Sequence, residues 1–459
     1  MKKTIIFLLT LCANTNLLVG QQKCDCKDYV ENIIELIEKN YADRNNINKK
    51  KYTDAVKKIR STNLNITHED CVFKIYSLLS KLEDKHISFF LEQDSGTFMR
   101  TIYDSSETQA LFNKFIKYQT SEKSIEGVWE TDNRDLEYLI MKASQPRMYN
   151  VIIWNSKINN YKRGMLKGLL KEISKNEFAY ISYGGSKLVT GYKMSRNGPM
   201  LYSFVTGNWR RQTPGAPPVE FRTLPSMARL SENTLLLKMP SFTIQNGLII
   251  DSLVKNSILS KTEHLIIDVS TNLGGSIQAY RSIMPFLYTN PIRIESGIYY
   301  SSRDNIQNLK STLSRLNDTT YYYQAYKKLA ARLEENPGKL VIDTGYYYSQ
   351  DSVYEYPKKV SILVGKRCAS AGELFLISAL QSKKVTLFGE NSAGICDRLD
   401  AYSCLGTCNG LRMNIPISVR SREFYLKPID NIGIPPHVRI PPNKNWLNYI
   451  LNYKSKSKR

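Results

Sequence analysis

Residues 24 to about 95 carry apolar side chains at helical spacing. Tyr29, Ile33, Ile34, Ile37 and Tyr41 recur every three or four positions, as do Val72, Ile75, Leu78, Leu79 and Leu82. The spacing predicts a small helical cap over 21–100. The period then changes. Gly127-Val128-Trp129, Tyr138-Leu139-Ile140 and the run from Tyr149 to Trp154 are short β-type segments separated by polar turns, which predicts a small antiparallel β domain over 120–225. Thr213-Pro214-Gly215-Ala216-Pro217-Pro218 reads as a linker or exposed loop. From 226 to 445 the signals are α/β. Leu235-Leu236-Leu237, Leu265-Ile266-Ile267, Val360 to Val364 and Val385 to Phe388 are the continuous apolar runs of strands buried on both faces, with helical stretches between them. Residues 303–336 read as a polar helical insertion ending near Pro337-Gly338, and 446–459 as a basic, fraying tail.

The N-terminus changes the picture of compartment. Lys2 and Lys3 precede the apolar run Ile5 to Leu9, and Leu17-Leu18-Val19-Gly20 precedes Gln21-Gln22. That is the layout of a cleavable secretory signal over 1–20, with an apolar run too short to span a bilayer. Cys12 and Cys24 follow Leu11 and Lys23, not the small residue of a lipid-attachment site, so an exported protein, periplasmic or secreted, is expected. Seven cysteines lie beyond the signal: Cys24, Cys26, Cys71, Cys368, Cys396, Cys404 and Cys408. The odd number leaves at least one unpaired. Cys396 is expected to bridge Cys404 or Cys408, and Cys24 or Cys26 to bridge Cys71; no His falls inside the C-terminal trio to favour zinc.

Composition adds little. A 42% apolar, 23% charged chain excludes wholesale disorder and a multi-span membrane protein. The formal charge of +22 is spread along the chain without a long basic run before the tail, which argues against a nucleic-acid partner and for a solvated basic surface suited to anionic envelopes.

Four segments could carry chemistry. Ala369-Ser370-Ala371-Gly372-Glu373 follows the strand Ser361 to Val364 and opens an apolar helix, which puts a hydroxyl beside free backbone N–H groups. Asp268-Val269-Ser270-Thr271-Asn272-Leu273-Gly274-Gly275 follows another buried strand, and its paired glycines allow close backbone approach. Asp84-Lys85-His86-Ile87 holds one of only four histidines, the others being His68, His264 and His437. Asp430 lies in the irregular segment Pro428 to His437 and could orient a base. Taken singly, each is equally a helix cap, a tight turn, a surface histidine or a turn aspartate.

Together and in this order the segments resemble the C-terminal processing (tail-specific) peptidase family of serine peptidases, in its tricorn-like branch. Asp268 to Gly275 is similar to the family's Asp-x-Arg-x-Asn-x-Gly-Gly with Ser270 for Arg. Ser370-Ala371-Gly372-Glu373 is similar to Ser-Ala-x-Glu, Gly389 to Gly394 to Gly-Glu-x-x-x-Gly, and Asp430 to Pro436 to Glu-Gly-x-Gly-Ile-x-Pro with Asp430 for Glu. The resemblance covers about 70–95 and 230–440. It implies an α/β fold with a ClpP/crotonase-like β-superhelix core. It implies Ser370 as nucleophile and an oxyanion hole from the N–H groups of Ala371 and of Gly274 or Gly275. One branch of the family places a Lys where this chain has Ile395, which excludes that dyad; the other takes a His from Asp-x-His-Thr, which points to His86 despite Ile87. Asp430, or Glu390, would be its partner. The implied chemistry is acyl transfer on a protein or peptide substrate without metal or cofactor, falling off at acid pH as the base is protonated. The alternative reading is a catalytically inactive member of the same fold that binds peptides or ligands, motivated by Ser270, Ile87 and Asp430.

Overall fold

The structure is a computed structural model. It describes residues 24–92, 124–131, 134–184, 188–203, 207–212, 224–316, 321–343, 345–441 and 443–453, with a few positions between 104 and 113. The expected signal segment, the Thr213 to Pro218 loop and the last six residues lie outside the described residues.

Helices α1 (Cys26–Asn40), α2 (Arg44–Ile47), α3 (Lys50–Arg60) and α4 (His68–Leu79) build the N-terminal layer. Their starts are written locally. Asp25 accepts the Asp28 N–H at 2.9 Å while Asp28 accepts the Asp25 N–H at 3.1 Å, and Thr67 accepts the Asp70 N–H at 3.2 Å. The apolar stripes of α1 and α4 bury Ile33, Ile37, Val72 and Ile75 completely. After α4 a short turn, Ser80–Leu82, leads through Glu83 in the left-handed region (φ 51°) to β1 (Ser88–Glu92). The expected helical run therefore ends at Leu82, and 88–92 is extended.

The β segment is a closed barrel. Strands β2 (Gly127–Thr131), β3 (Leu136–Lys142), β4 (Met148–Ser156), β5 (Leu166–Ser174), β6 (Glu177–Tyr183), β7 (Leu188–Asn197), β8 (Met200–Tyr202) and β9 (Trp209–Arg211) each pair antiparallel with the next. β9 returns to pair with β2. Eight strands leave an interior that side chains fill, and here the filling is aromatic: Trp129, Tyr138, Phe178, Tyr180 and Trp209 with Ile140, Val151 and Ile153. β1 ties this barrel to the rest. Its Leu91 and Glu92 pair with Val189 and Leu188 of β7, and its Ser88, Phe89 and Phe90 pair with the strand Arg412–Arg420.

The C-terminal part is a six-stranded sheet in the order Ser226–Ser231, Thr234–Lys238, His264–Asp268, Lys359–Val364, Val385–Gly389, Val438–Arg439. All neighbours after the first pair are parallel. Both faces are covered, which explains the unbroken apolar runs. Leu235, Leu237, Leu265, Ile267, Ile362 and Leu387 face one core; Leu236, Ile266, Leu363 and Phe388 face another. That second face is covered by the helix Trp446–Leu451, so the first residues expected in a fraying tail are instead packed. Trp446, Ile450 and Tyr453 recur at helical spacing, Ile450 is 1% exposed, and Tyr453 stands edge-on to Phe388. Residues 303–336 form the helices Arg303–Leu313 and Tyr321–Glu334, which bury Leu309, Leu329 and Leu333 against Tyr299 and Ile417.

The cysteines correct the expectation for the C-terminal trio. Cys408 is bridged to Cys24, and Cys26 to Cys71; Cys368, Cys396 and Cys404 are buried free thiols. Cys396 is claimed by the core beside Ile429 and Ile434, while Cys408 lies in the N-terminal layer's core, so the two are packed in different places despite their proximity in sequence.

Candidate functional site

The strand Lys359–Val364 and the helix Ala371–Ala379 meet at Ser370. Its backbone is strained, with φ 53° and ψ −121°, a region a non-glycine residue occupies only when its surroundings hold it there. They do so here by two hydrogen bonds from the Ser370 N–H, to the Ile395 carbonyl at 3.0 Å and to Glu373 Oε2 at 3.2 Å. Glu373 is 0% exposed. Its carboxylate also accepts from Ser392 Oγ at 2.5 Å and from the N–H groups of Gly394 and Ile395 at 2.8 Å each. Burial pushes its pKa up to about 7 against the pull of those donors.

Gly274 packs against this turn and Gly275 against Phe242, with φ of +95° and +132°. A Cβ on Gly274 would lie 2.9 Å from the Ala371 nitrogen and 2.8 Å from the Ala369 carbonyl oxygen, so no larger residue fits. The two glycines differ as donors. The Gly274 N–H is committed to Asn272 Oδ1 at 2.8 Å. The Gly275 N–H points away from Phe242, whose own N–H goes to the Gly274 carbonyl and whose carbonyl takes the Ser276 N–H. The Ala371 N–H is the first of its helix and has no intrahelical acceptor.

His86 arrives from the other side, on the segment between α4 and β1. Its Nε2 lies 3.5 Å from Ser370 Oγ. Its backbone N–H donates to Asp84 Oδ1 at 2.9 Å, a turn that sets the direction of both side chains. His86 Nδ1 is 3.7 Å from Asp84 Oδ1, with the Asp84 side chain 1% exposed. Burial raises the Asp84 pKa; His86 and Arg398 oppose that rise. Asp84 Oδ2 accepts the Tyr41 hydroxyl at 2.9 Å and lies 3.8 Å from Arg398 Nε. Lys85, between Asp84 and His86, donates to the Ala393 carbonyl at 3.0 Å and pins this segment to the core.

Asp430 is engaged by backbone N–H groups and by Arg398. Its Oδ1 accepts the Cys396 and Asp397 N–H groups at 2.7 and 2.8 Å, and its Oδ2 accepts Arg398 Nη1 at 2.7 Å. The Arg398 guanidinium thus stands between Asp430 and Asp84, and also takes Asp43 at 3.0 Å. Glu390, the other expected partner, pairs with Lys366 at 3.4 Å on the surface. The structure brings Ser370, His86, Ala371 and the two glycines together. Asp84, Glu373, Arg398 and Asn272 are the residues sequence reasoning left without a role. Asp84 stood two residues before His86, and Asn272 and Glu373 stood inside the motifs, so a signal for three of them was present.

A cleft of ≈ 880 Å³ opens beside the pair. Its lining includes Lys85 and Ile87, the chain neighbours of His86, together with Leu273, Ile395 and residues of α4 and β7; His86 and Ser370 themselves are not part of it.

Residues 233–440 match the model of Peptidase family S41, which supports a serine peptidase, a hydrolase. The match covers the C-terminal part of the chain. A mutant CPAF crystal structure shares the fold at 13% identity, with a TM-score of 0.50 over 91% of this chain and 93% of that one. A putative peptidase from Parabacteroides merdae (12% identity, TM-score 0.45, 91% and 90% covered) and the photosystem II D1 C-terminal processing protease (12%, 0.42, 92% and 94%) are also similar. No curated protein matches the sequence.

Proposed function

We propose that the chain is an exported serine endopeptidase of the C-terminal processing type, built on the ClpP/crotonase-like core with its helical cap. Ser370 attacks a peptide carbonyl while His86 Nε2 takes the hydroxyl proton and returns it to the leaving amine. The N–H groups of Ala371 and Gly275 hold the oxyanion, with Gly274 providing the close approach. Asp84, not Asp430, orients and charge-stabilises His86. Asp430 acts one step further away, by holding Arg398 against Asp84. The observation that carries the reading is the 3.5 Å approach of His86 Nε2 to Ser370 Oγ by residues 284 positions apart.

The test is covalent labelling of the protein with a fluorophosphonate probe, beside Ser370→Ala and His86→Ala, with the site located by mass spectrometry. Label on Ser370, lost in the first variant and slowed at least about 10³-fold in the second, is the expected result. A folded wild-type chain that takes no label points instead to the catalytically inactive binding member of the fold.

A further inference from the structure

Strand β7 has one edge that changes partner along its length. On one side it pairs with β6 throughout, from Glu177↔Ser195 to Tyr183↔Val189. On the other side it pairs with β1 only at Leu188 and Val189 and with β8 only from Ser195 to Asn197. Among the described residues, positions 190–194 have no strand on that side. Six residue steps separate Val189 from Ser195, an open length of about 20 Å.

The ladder fixes which groups face the gap. The Gly184 N–H goes to the Leu188 carbonyl and the Arg196 N–H to the Asn176 carbonyl, both toward β6. Main-chain groups alternate in direction with period two, so Thr190, Tyr192 and Met194 also spend theirs on β6. Gly191 and Lys193 then present two N–H and two C=O groups to the gap. An unpaired row of this kind is a template for another strand. The gap lies in the cleft beside the proposed site. Gly191 and Lys193 line it, as do Phe89 of β1, Tyr202 of β8, Leu273 and Ile395. Ile395 is the residue whose carbonyl holds the Ser370 N–H.

We infer that the open edge of β7 at Gly191 and Lys193 is the seat of the substrate main chain: an extended peptide adds there as a strand and is led along the cleft to Ser370. This deepens, and rests on, the peptidase reading. Recognition is through the backbone, so it selects for a segment that is unfolded locally more than for particular side chains.

Lys193→Pro removes one outward N–H without touching the β6 ladder, and Lys193→Ala controls for the lost ion pair with Glu177. Both are made in the full-length Ser370→Ala chain, and binding of fluorescein-labelled, carboxymethylated insulin B chain is measured. The expected result is an affinity at least about fivefold weaker for Lys193→Pro than for Lys193→Ala. In parallel, B-chain analogues N-methylated at successive backbone positions are titrated against the Ser370→Ala chain with Lys193 intact, which keeps the test valid if the proline variant does not fold. Alternation of weak and unaffected binding with period two is expected. Equal affinities of the proline and alanine variants, no alternation, or no binding of the B chain by any variant overturns the inference. Failure of the peptidase reading is separate: it shows as absent fluorophosphonate labelling at Ser370, whatever the B chain does.

Discussion

The two halves of the candidate site are built by different means. The serine half is made within one sheet. Ser370 with its strained turn and Gly274 follow neighbouring parallel strands, and Glu373, in the first turn of the helix after Ser370, gathers the loop 392–395 against that turn with its buried carboxylate. The histidine half is delivered by a separate layer and held across an interface. His86 is fixed by Asp84, Asp84 by Tyr41 and Arg398, and Arg398 by Asp430 and Asp43, so a chain of charged groups runs across the interface beside its apolar core. The difference teaches that Ser370 is held by groups of one core, whereas His86 sits beside it only while the N-terminal layer is docked.

The largest expected effect is at the charge hub. Arg398→Met leaves Asp43, Asp84 and Asp430 facing one another with little solvent; the Arg398 side chain is 11% exposed and that of Asp84 1%. Breaking a buried pair in this way costs about 3–5 kcal/mol, to be read from the urea midpoint. A loss under about 1 kcal/mol would mean that apolar packing alone docks the layer.

Next is the pH response of the serine half. The folded pKa of Glu373, about 7, lies above its ordinary 4.5. Below 4.5 both folded and unfolded chains carry the proton and its contribution is fully present. Between 4.5 and 7 the unfolded chain ionises while the folded chain still holds the proton, so stability falls steadily and the loss is complete once pH has passed 7. Wild type should therefore lose up to about 3 kcal/mol relative to Glu373→Gln between those two pH values. Parallel stability curves for the two proteins would show that the four donors hold Glu373 ionised throughout.

The smallest effect sharpens the choice of carboxylate. Asp84→Asn should lower kcat about 10²-fold with KM changed less than about threefold, and Asp430→Asn should lower kcat less than about tenfold. The reverse order would return the orienting role to Asp430.

The segments of the serine half could be picked out in the sequence because each is a short contiguous motif. The order strand, Ser370-Ala371-Gly372-Glu373, helix and the paired glycines after Asn272 are short-range patterns whose geometry follows from local rules. The histidine half was legible only as far as His86. Its carboxylate was expected to be Asp430 or Glu390 and not Asp84, because which acid meets His86 depends on where Arg398 projects from the strand Arg398–Leu405, a matter of tertiary packing. Closure of the barrel was hidden for a similar reason: β8 and β9 are three residues long and carry no alternation to read. The disulfides paired by spatial neighbourhood, which brought Cys408 to Cys24 and left Cys396 in a different core.

That Cys24–Cys408 bridge, with a sequence separation of 384 residues, makes a ring of most of the polypeptide. A protease that cuts one exposed loop anywhere inside the ring converts it to a linear molecule but releases no fragment. Such a nicked chain would keep its full mass on a non-reducing gel and fall into two pieces only after a thiol is added. Under oxidising conditions, cleavage of the backbone and separation of its parts are thus two independent events.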